Sequence, residues 1–117
     1  MESGNQLKTV QVLLTTPDYD WERKGFWVNE GPAVIHHDGK MFLTYSASET
    51  GVDYCVGMLS IDEDADILDP RLWKKERYPV LKTCEKLGIY GPGHNSFTVD
   101  EDGNDVMVYR RADGGRN

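Results

Sequence analysis

The residues around Glu30 have the types and order that acid catalysis requires. In residues 26–32 (FWVNEGP) a carboxylic acid lies between aromatic residues and a Gly-Pro pair that opens a predicted strand. Glycine lets the backbone approach a ligand closely, and apolar surroundings favour the protonated form of a carboxylic acid. Glu30 is therefore a candidate general acid. An ordinary surface glutamate before a strand is the alternative interpretation.

A histidine and an asparagine form a second candidate group, in residues 91–97 (GPGHNSF). His94 and Asn95 stand at the start of a predicted strand, as Glu30 does, and both side chains can donate or accept hydrogen bonds. Whether they meet Glu30 depends on how the strands are arranged. A histidine with only a structural hydrogen bond is the alternative here.

The elements that must position these residues are predicted to be short antiparallel strands separated by turns, which makes the fold class all-β. Apolar and β-branched residues predict strands over residues 10–15, 32–36, 40–46, 54–61, 72–80, 96–99 and 106–109. Asp38-Gly39 supplies the positive φ angles of a tight hairpin turn, and residues 101–104 form the turn of a second hairpin. Residues 63–72 are the one weakly helical stretch, which Pro70 is expected to break.

The spacing of the strands predicts one repeating unit and part of another. Four strands follow within about 50 residues and the pattern then restarts at Gly91, which is the size of a four-stranded β-propeller blade. We therefore predict an approach segment (1–28), one blade (about 29–85) and half of the next (about 88–112). Because the innermost strand of each blade lines the central channel, Glu30 and His94 are predicted to face one pocket.

A partial propeller has consequences for stability. Propellers typically close with about four to eight blades, so the 117-residue chain corresponds to a fragment of a larger ring. An incomplete blade exposes unpaired strand edges and an apolar face. We therefore expect this chain to self-associate or to be unstable on its own.

Composition excludes several classes of protein. Thirteen basic against twenty acidic residues give a net charge of −7, which disfavours a nucleic-acid partner because such affinity depends on Lys and Arg. No apolar run is long enough to predict a transmembrane helix, and the polar residues 1–9 predict no secretory signal. No membrane partner is expected, and localisation stays open. Cys55 and Cys84 lack metal-finger spacing, and Cys55 is predicted to be a buried thiol.

Three segments in order resemble glycoside hydrolase family 43: residues 28–32 (VNEGP), 42–48 (FLTYSAS) and 88–97 (GIYGPGHNSF). The E-G-P element alone is weak evidence, whereas all three elements together are specific. The resemblance extends over nearly the whole chain from about Thr15 onward. It implies a five-bladed propeller that hydrolyses arabinofuranosyl or xylosyl linkages of plant cell-wall polysaccharides and oligosaccharides.

The resemblance also implies roles for individual residues. Glu30 matches the family's general acid, and His94 matches a channel histidine that helps to hold a calcium ion. Trp27, Phe26 and Tyr90 are candidates for stacking on a sugar face, with a place in the core as their alternative. Asn95 and His94 are further candidates for substrate binding.

The chemistry implied is that of an inverting glycosidase. In such enzymes two carboxyl groups lie roughly 6.5 to 9.5 Å apart so that a water molecule fits between the base and the sugar. The family's aspartate base and the aspartate that tunes the acid have no match in these residues, so this chain alone is expected to be inactive. A non-catalytic carbohydrate-binding or interaction module derived from a propeller is the alternative function.

Overall fold

The computed structural model describes residues 11–112, which fold into two antiparallel sheets with three short 3₁₀ helices. The all-β prediction is confirmed. The first sheet has four strands in the order β1-β2-β3-β4, and the second pairs β5 with β6. The strands are β1 (Asn29–His37), β2 (Lys40–Ala47), β3 (Cys55–Asp62), β4 (Lys74–Lys75), β5 (Gly93–Val99) and β6 (Asp105–Arg110). The 3₁₀ helices are Asp20–Glu22, Pro70–Leu72 and Glu85–Leu87. No helix among the described residues has the length and apolarity that crossing a membrane requires.

The two predicted hairpins are confirmed. Asp38 and Gly39 both have positive φ, 50° and 78°, and they join β1 to β2 with His37 opposite Lys40. The turn between β5 and β6 is held by the Asp100 carboxylate, which accepts from the Asn104 backbone N–H at 2.9 Å. Both turns therefore depend on local chemistry that can be read from the sequence.

Successive side chains of β2 point to opposite faces of the first sheet, and other parts of the chain pack on each face. Tyr45 and Ala47 belong to the apolar core on one side, with Trp21 packed against them. Thr44 and Ser46 face β5 on the other side, where they bond Asn95 and the His94 backbone. Cys55 lies in the core, which confirms the predicted buried thiol. Burial raises the pKa of this thiol to about 12.

Two predicted strands are wrong in whole or in part. Residues 11–15 form no strand, and the Thr15 hydroxyl donates to Oδ1 of Asn29 at 2.9 Å. Val10 lies outside the described residues. Of residues 72–80 only Lys74–Lys75 is a strand. Beyond this short strand the Glu76 N–H donates to the Met58 carbonyl of β3, and the next backbone bond to β3 comes from the Val80 N–H to the Val56 carbonyl.

The predicted weak helix over residues 63–72 is also wrong, because only Pro70–Leu72 forms a 3₁₀ turn. Asp69 caps this turn by accepting the Arg71 N–H at 3.0 Å. Pro70 begins the turn and does not break it, since the first residues of a helix have no use for a backbone donor.

Candidate active site

A pocket of about 490 Å³ lies where the start of β1, the loop before β3, the start of β5 and the end of β6 meet. Its size is within the range of small-molecule sites. The residues on its wall that carry or shape chemistry are Glu30, Tyr54, Gly91, His94, Arg110 and Arg111. The structure thus brings Glu30 and His94 onto one wall although they belong to different sheets.

Glu30 is the one carboxylate on this wall among the described residues. The pairing of β1 with β2 shifts register between Glu30 and Ala33, and Gly31 takes a φ of +59° at this irregularity. Bulges of this kind re-aim a side chain next to functional sites. The Glu30 carboxylate is consequently exposed to solvent at the pocket, and within residues 11–112 only one of its oxygens is hydrogen-bonded.

Tyr54 supplies that bond. Its hydroxyl donates to Oε2 of Glu30 at 2.7 Å, while the residue as a whole is only 5% exposed. Burial is the main effect and raises the pKa of Tyr54; the Ser46 side chain opposes this rise, and the Glu30 carboxylate adds to it. The phenol therefore stays protonated and is a permanent donor to Glu30.

The ring of Tyr54 occupies space that only glycine leaves open. A Cβ on Gly93 would overlap the ring edge of Tyr54, so the glycine before His94 is a packing requirement. Sequence analysis missed Tyr54, which looked like the first residue of a strand. No local pattern distinguishes it, because its role depends on a glycine from another sheet.

His94 lies beside Glu30 in a constrained backbone conformation. Its φ is +49°, which is uncommon for a residue with a side chain and is typical of functional sites. Its N–H donates to Oγ of Ser46 at 2.6 Å. The imidazole packs on Gly31, where a Cβ would be 3.2 Å from Nδ1. Gly31 therefore permits the close approach of the His94 imidazole to the strand that carries Glu30.

The predicted calcium site at His94 has no cluster of acidic side chains around it among the described residues. Calcium takes six to eight oxygen ligands, and residues 11–112 contain no group of three or more His, Cys, Asp and Glu side chains that could hold a metal. A role of His94 in binding calcium stays a prediction from the resemblance.

The other predicted binding residues lie outside the wall of this pocket. Phe26 and Trp27 are 62% and 66% exposed, and the Arg23 guanidinium stacks 4.9 Å from the Trp27 ring centre. Tyr90 is half-buried. Asn95 is buried and donates to Oγ1 of Thr44 at 2.8 Å. Their roles in sugar binding stay predictions.

Two arginines that sequence analysis did not single out add positive charge to the wall. Arg110 ends β6 opposite Gly93, and Arg111 follows it with its guanidinium donating to the Gly88 carbonyl at 3.0 Å. Both lie on the pocket with Glu30. Consecutive arginines at a strand end are common on surfaces, so the sequence alone gave no reason to choose them.

The family of the chain follows from its similarity to known proteins. Residues 2–117 match the family described as Glycosyl hydrolases family 43, and the chain belongs to that family. Its four-stranded sheet fits a blade of a partial propeller.

The relatives it matches are named as arabinofuranosidases. It is 58% identical over 97 residues to an extracellular exo-alpha-(1->5)-L-arabinofuranosidase of Streptomyces avermitilis, covering 82% of this chain and 20% of that protein. It is 48% identical over 99 residues to alpha-L-arabinofuranosidase 43 of Humicola insolens, covering 84% and 21%. The crystal structure of an alpha-L-arabinofuranosidase from Lactobacillus brevis matches 100% of this chain and 36% of its own, with a TM-score of 0.91 and 52% identity. The chain thus spans about a fifth of the length of these two curated relatives.

Proposed function

We propose that this chain forms the part of an α-L-arabinofuranosidase that carries the proton donor, Glu30. The observation that carries the proposal is a carboxylate with one oxygen held at 2.7 Å by a buried tyrosine on the wall of a ligand-sized pocket. Relatives that are 48% and 58% identical to the chain are named as arabinofuranosidases, which favours arabinofuranosyl over xylosyl linkages. The xylosidase among the similar structures is only 18% identical, so it supports the fold alone.

In the proposed reaction the protonated Glu30 lies beside the oxygen of the glycosidic bond. The carbon–oxygen bond breaks with its electron pair moving to that oxygen, which takes the proton from Glu30. A water molecule attacks the opposite face of the sugar and loses its proton to a second carboxylate, giving inversion. That second carboxylate is not among the residues on this pocket wall, so it has to come from another part of the ring.

The substitution Glu30→Gln tests the proton donor, in protein expressed from the complete reading frame that contains this chain. Natural sugar leaving groups depend on general acid catalysis, which is typically worth about 10²- to 10⁴-fold. We expect kcat/KM for an arabino-oligosaccharide to fall by that factor, while an aryl arabinoside with an acidic phenol is largely unaffected. The alkaline limb of the pH profile should disappear.

Glu101→Gln, in the exposed turn between β5 and β6, is the matched control and should keep full activity on both substrates. Equal losses on both substrates with the pH limb intact would make Glu30 a structural or binding residue. Binding of arabino-oligosaccharide without hydrolysis by the unsubstituted protein would favour the carbohydrate-binding alternative.

A further inference from the structure

We propose that Tyr54 is a positioning residue for the general acid: it holds Oε2 of Glu30 so that Oε1 carries the proton delivered to the substrate. The inference rests on the proposed function of Glu30 and adds a second residue to it. Tyr54 does not need to touch the substrate for this role.

The geometry leaves the two oxygens of Glu30 in different situations. Oε2 accepts the Tyr54 hydroxyl at 2.7 Å, a distance typical of a strong O–H···O bond. Among residues 11–112, Oε1 has no hydrogen-bond partner, and the side chain lines the pocket. A proton on the carboxylic acid therefore resides on Oε1, because Oε2 already faces a donor.

Tyr54 can hold Oε2 of Glu30 in one position because the Tyr54 ring is itself fixed by its surroundings. The ring is almost fully buried and packs against Gly93 at a point where any Cβ would overlap it. The backbone next to this glycine is tied to β2, because the His94 N–H donates to the Ser46 hydroxyl at 2.6 Å. The contact between β2 and β5 therefore keeps Gly93 against the ring and the phenol directed toward Glu30.

The hydrogen bond from the Tyr54 hydroxyl to Glu30 acts differently on the two charge states of a carboxyl group. A phenol donor stabilises an ionised carboxylate more than a protonated one. The other titratable or charged groups on the wall facing Glu30 are His94 on β5, Arg110 on β6 and Arg111 after it. The variants at Tyr54 keep all three of these residues, so the comparison changes only the donor to Oε2 of Glu30.

The test is Tyr54→Phe in protein from the complete reading frame. We expect the alkaline limb of kcat/KM for an arabino-oligosaccharide to move to higher pH by about half a unit to one unit. The value of kcat should fall about 10-fold with KM little changed, and an aryl arabinoside with an acidic phenol should lose less activity. An unchanged limb together with an unchanged ratio of the two substrates would overturn the proposal.

Tyr45→Phe is the matched control. The Tyr45 hydroxyl also donates to a carboxylate, Oε2 of Glu22 at 2.9 Å, but in the core. This substitution should lower thermal stability without moving the pH limb. If both tyrosine variants moved the limb equally, general loosening of the fold would explain the effect and the positioning role would be wrong.

A second variant keeps the hydroxyl group of Tyr54, in case Tyr54→Phe does not fold. Incorporation of 3-fluorotyrosine at position 54 makes the phenol a stronger donor, so the alkaline limb should move to lower pH. A limb that stays in place or moves to higher pH contradicts the proposal.

Failure of this inference can be told apart from failure of the proposed function. If Glu30→Gln keeps the alkaline limb, Glu30 is not the acid and both proposals fail. If Glu30→Gln removes the limb and neither Tyr54 variant moves it, only the role of Tyr54 is wrong.

Discussion

Two regions of the molecule use the same three residue types in different surroundings. In the core, the Glu22 carboxylate accepts the Tyr45 hydroxyl at 2.9 Å, and the Tyr45 ring packs against Gly57. At the pocket, Glu30 accepts the Tyr54 hydroxyl at 2.7 Å, and the Tyr54 ring packs against Gly93. In each case a glycine admits a tyrosine ring, and the tyrosine holds a carboxylate.

The two carboxylates differ in what else binds them. Glu22 is 0% exposed, and both of its oxygens are bonded. Its further donors are the Asp18 and Tyr19 backbone N–H groups, the Asn29 amide and the Lys75 ammonium, at 2.9 to 3.1 Å. Glu30 faces the pocket with Oε1 unbonded by any of the described residues. A carboxylate whose acceptors are all used can only hold the fold together, whereas one with a free oxygen can exchange a proton.

Removing the charge of Glu22 should give the largest effect on stability. In Glu22→Gln an amide N–H₂ would face groups that are themselves donors, and Lys75, whose side chain is only 16% exposed, would lose a buried counter-charge. Breaking a buried ion pair costs about 3–5 kcal/mol. The midpoint of urea unfolding should fall accordingly.

Glu30→Gln provides the contrast, since Glu30 is exposed and makes one bond. Its free energy of unfolding should change by less than about 1 kcal/mol. Equal shifts of the two midpoints would contradict the division into a structural and a catalytic carboxylate.

The two glycines offer a paired test of the tyrosine positions. In Gly57→Ala the new methyl group overlaps Tyr45 and approaches Cη2 of Trp21 to 2.8 Å, and in Gly93→Ala it overlaps the Tyr54 ring. Overpacking of this kind costs about 1–3 kcal/mol, so both variants should unfold at lower denaturant concentration.

Only Gly93→Ala should also change catalysis, because it displaces the partner of the acid. We expect its kcat on an arabino-oligosaccharide to fall at a temperature where both variants are fully folded. Comparable kcat values for the two folded variants would show that the position of the Tyr54 ring does not matter to the reaction.

The smallest expected effect on stability is at Asp18, which shares the Lys75 ammonium with Glu22. A hydrogen bond from Lys75, at 2.6 Å, lowers the pKa of Asp18. Because the pKa is lower in the folded state, the stabilisation is present above the unfolded value, about 3.9, and is lost as pH falls through the folded value. Asp18→Asn should lower the free energy of unfolding at pH 7 by less than about 1 kcal/mol, since the Asp18 side chain is 62% exposed.

Denaturation at pH 7, 5, 4 and 3 checks this sign. The difference between Asp18→Asn and the unsubstituted protein should be constant at pH 7 and 5 and should shrink below pH 4. A difference that grew toward low pH would mean that the charge of Asp18 does not stabilise the fold.

The sequence by itself determined the elements whose cause is local. Asp38-Gly39 and the turn after Val99 specify their hairpins through positive φ angles and side-chain-to-backbone bonds, and the apolar pattern between them specifies the paired strands. The E-G-P and G-P-G-H elements singled out Glu30 and His94, which the structure places on one pocket wall, because family motifs are contiguous in sequence. Residues 11–15 and 72–80 were predicted wrongly, since apolar composition does not reveal whether a neighbouring strand is available to pair.

Tertiary structure alone decided which side chains surround Glu30. The Tyr54 hydroxyl reaches Glu30 only because Gly93, in the second sheet, leaves room for the Tyr54 ring. The buried Glu22 carboxylate is hydrogen-bonded by Tyr45 on β2 and Lys75 on β4, which are distant from it in sequence. Local sequence looks alike for Glu22 and Glu30, since both stand near aromatic residues. Their difference in exposure and in hydrogen-bond partners comes from contacts between residues distant in sequence, which no local pattern encodes.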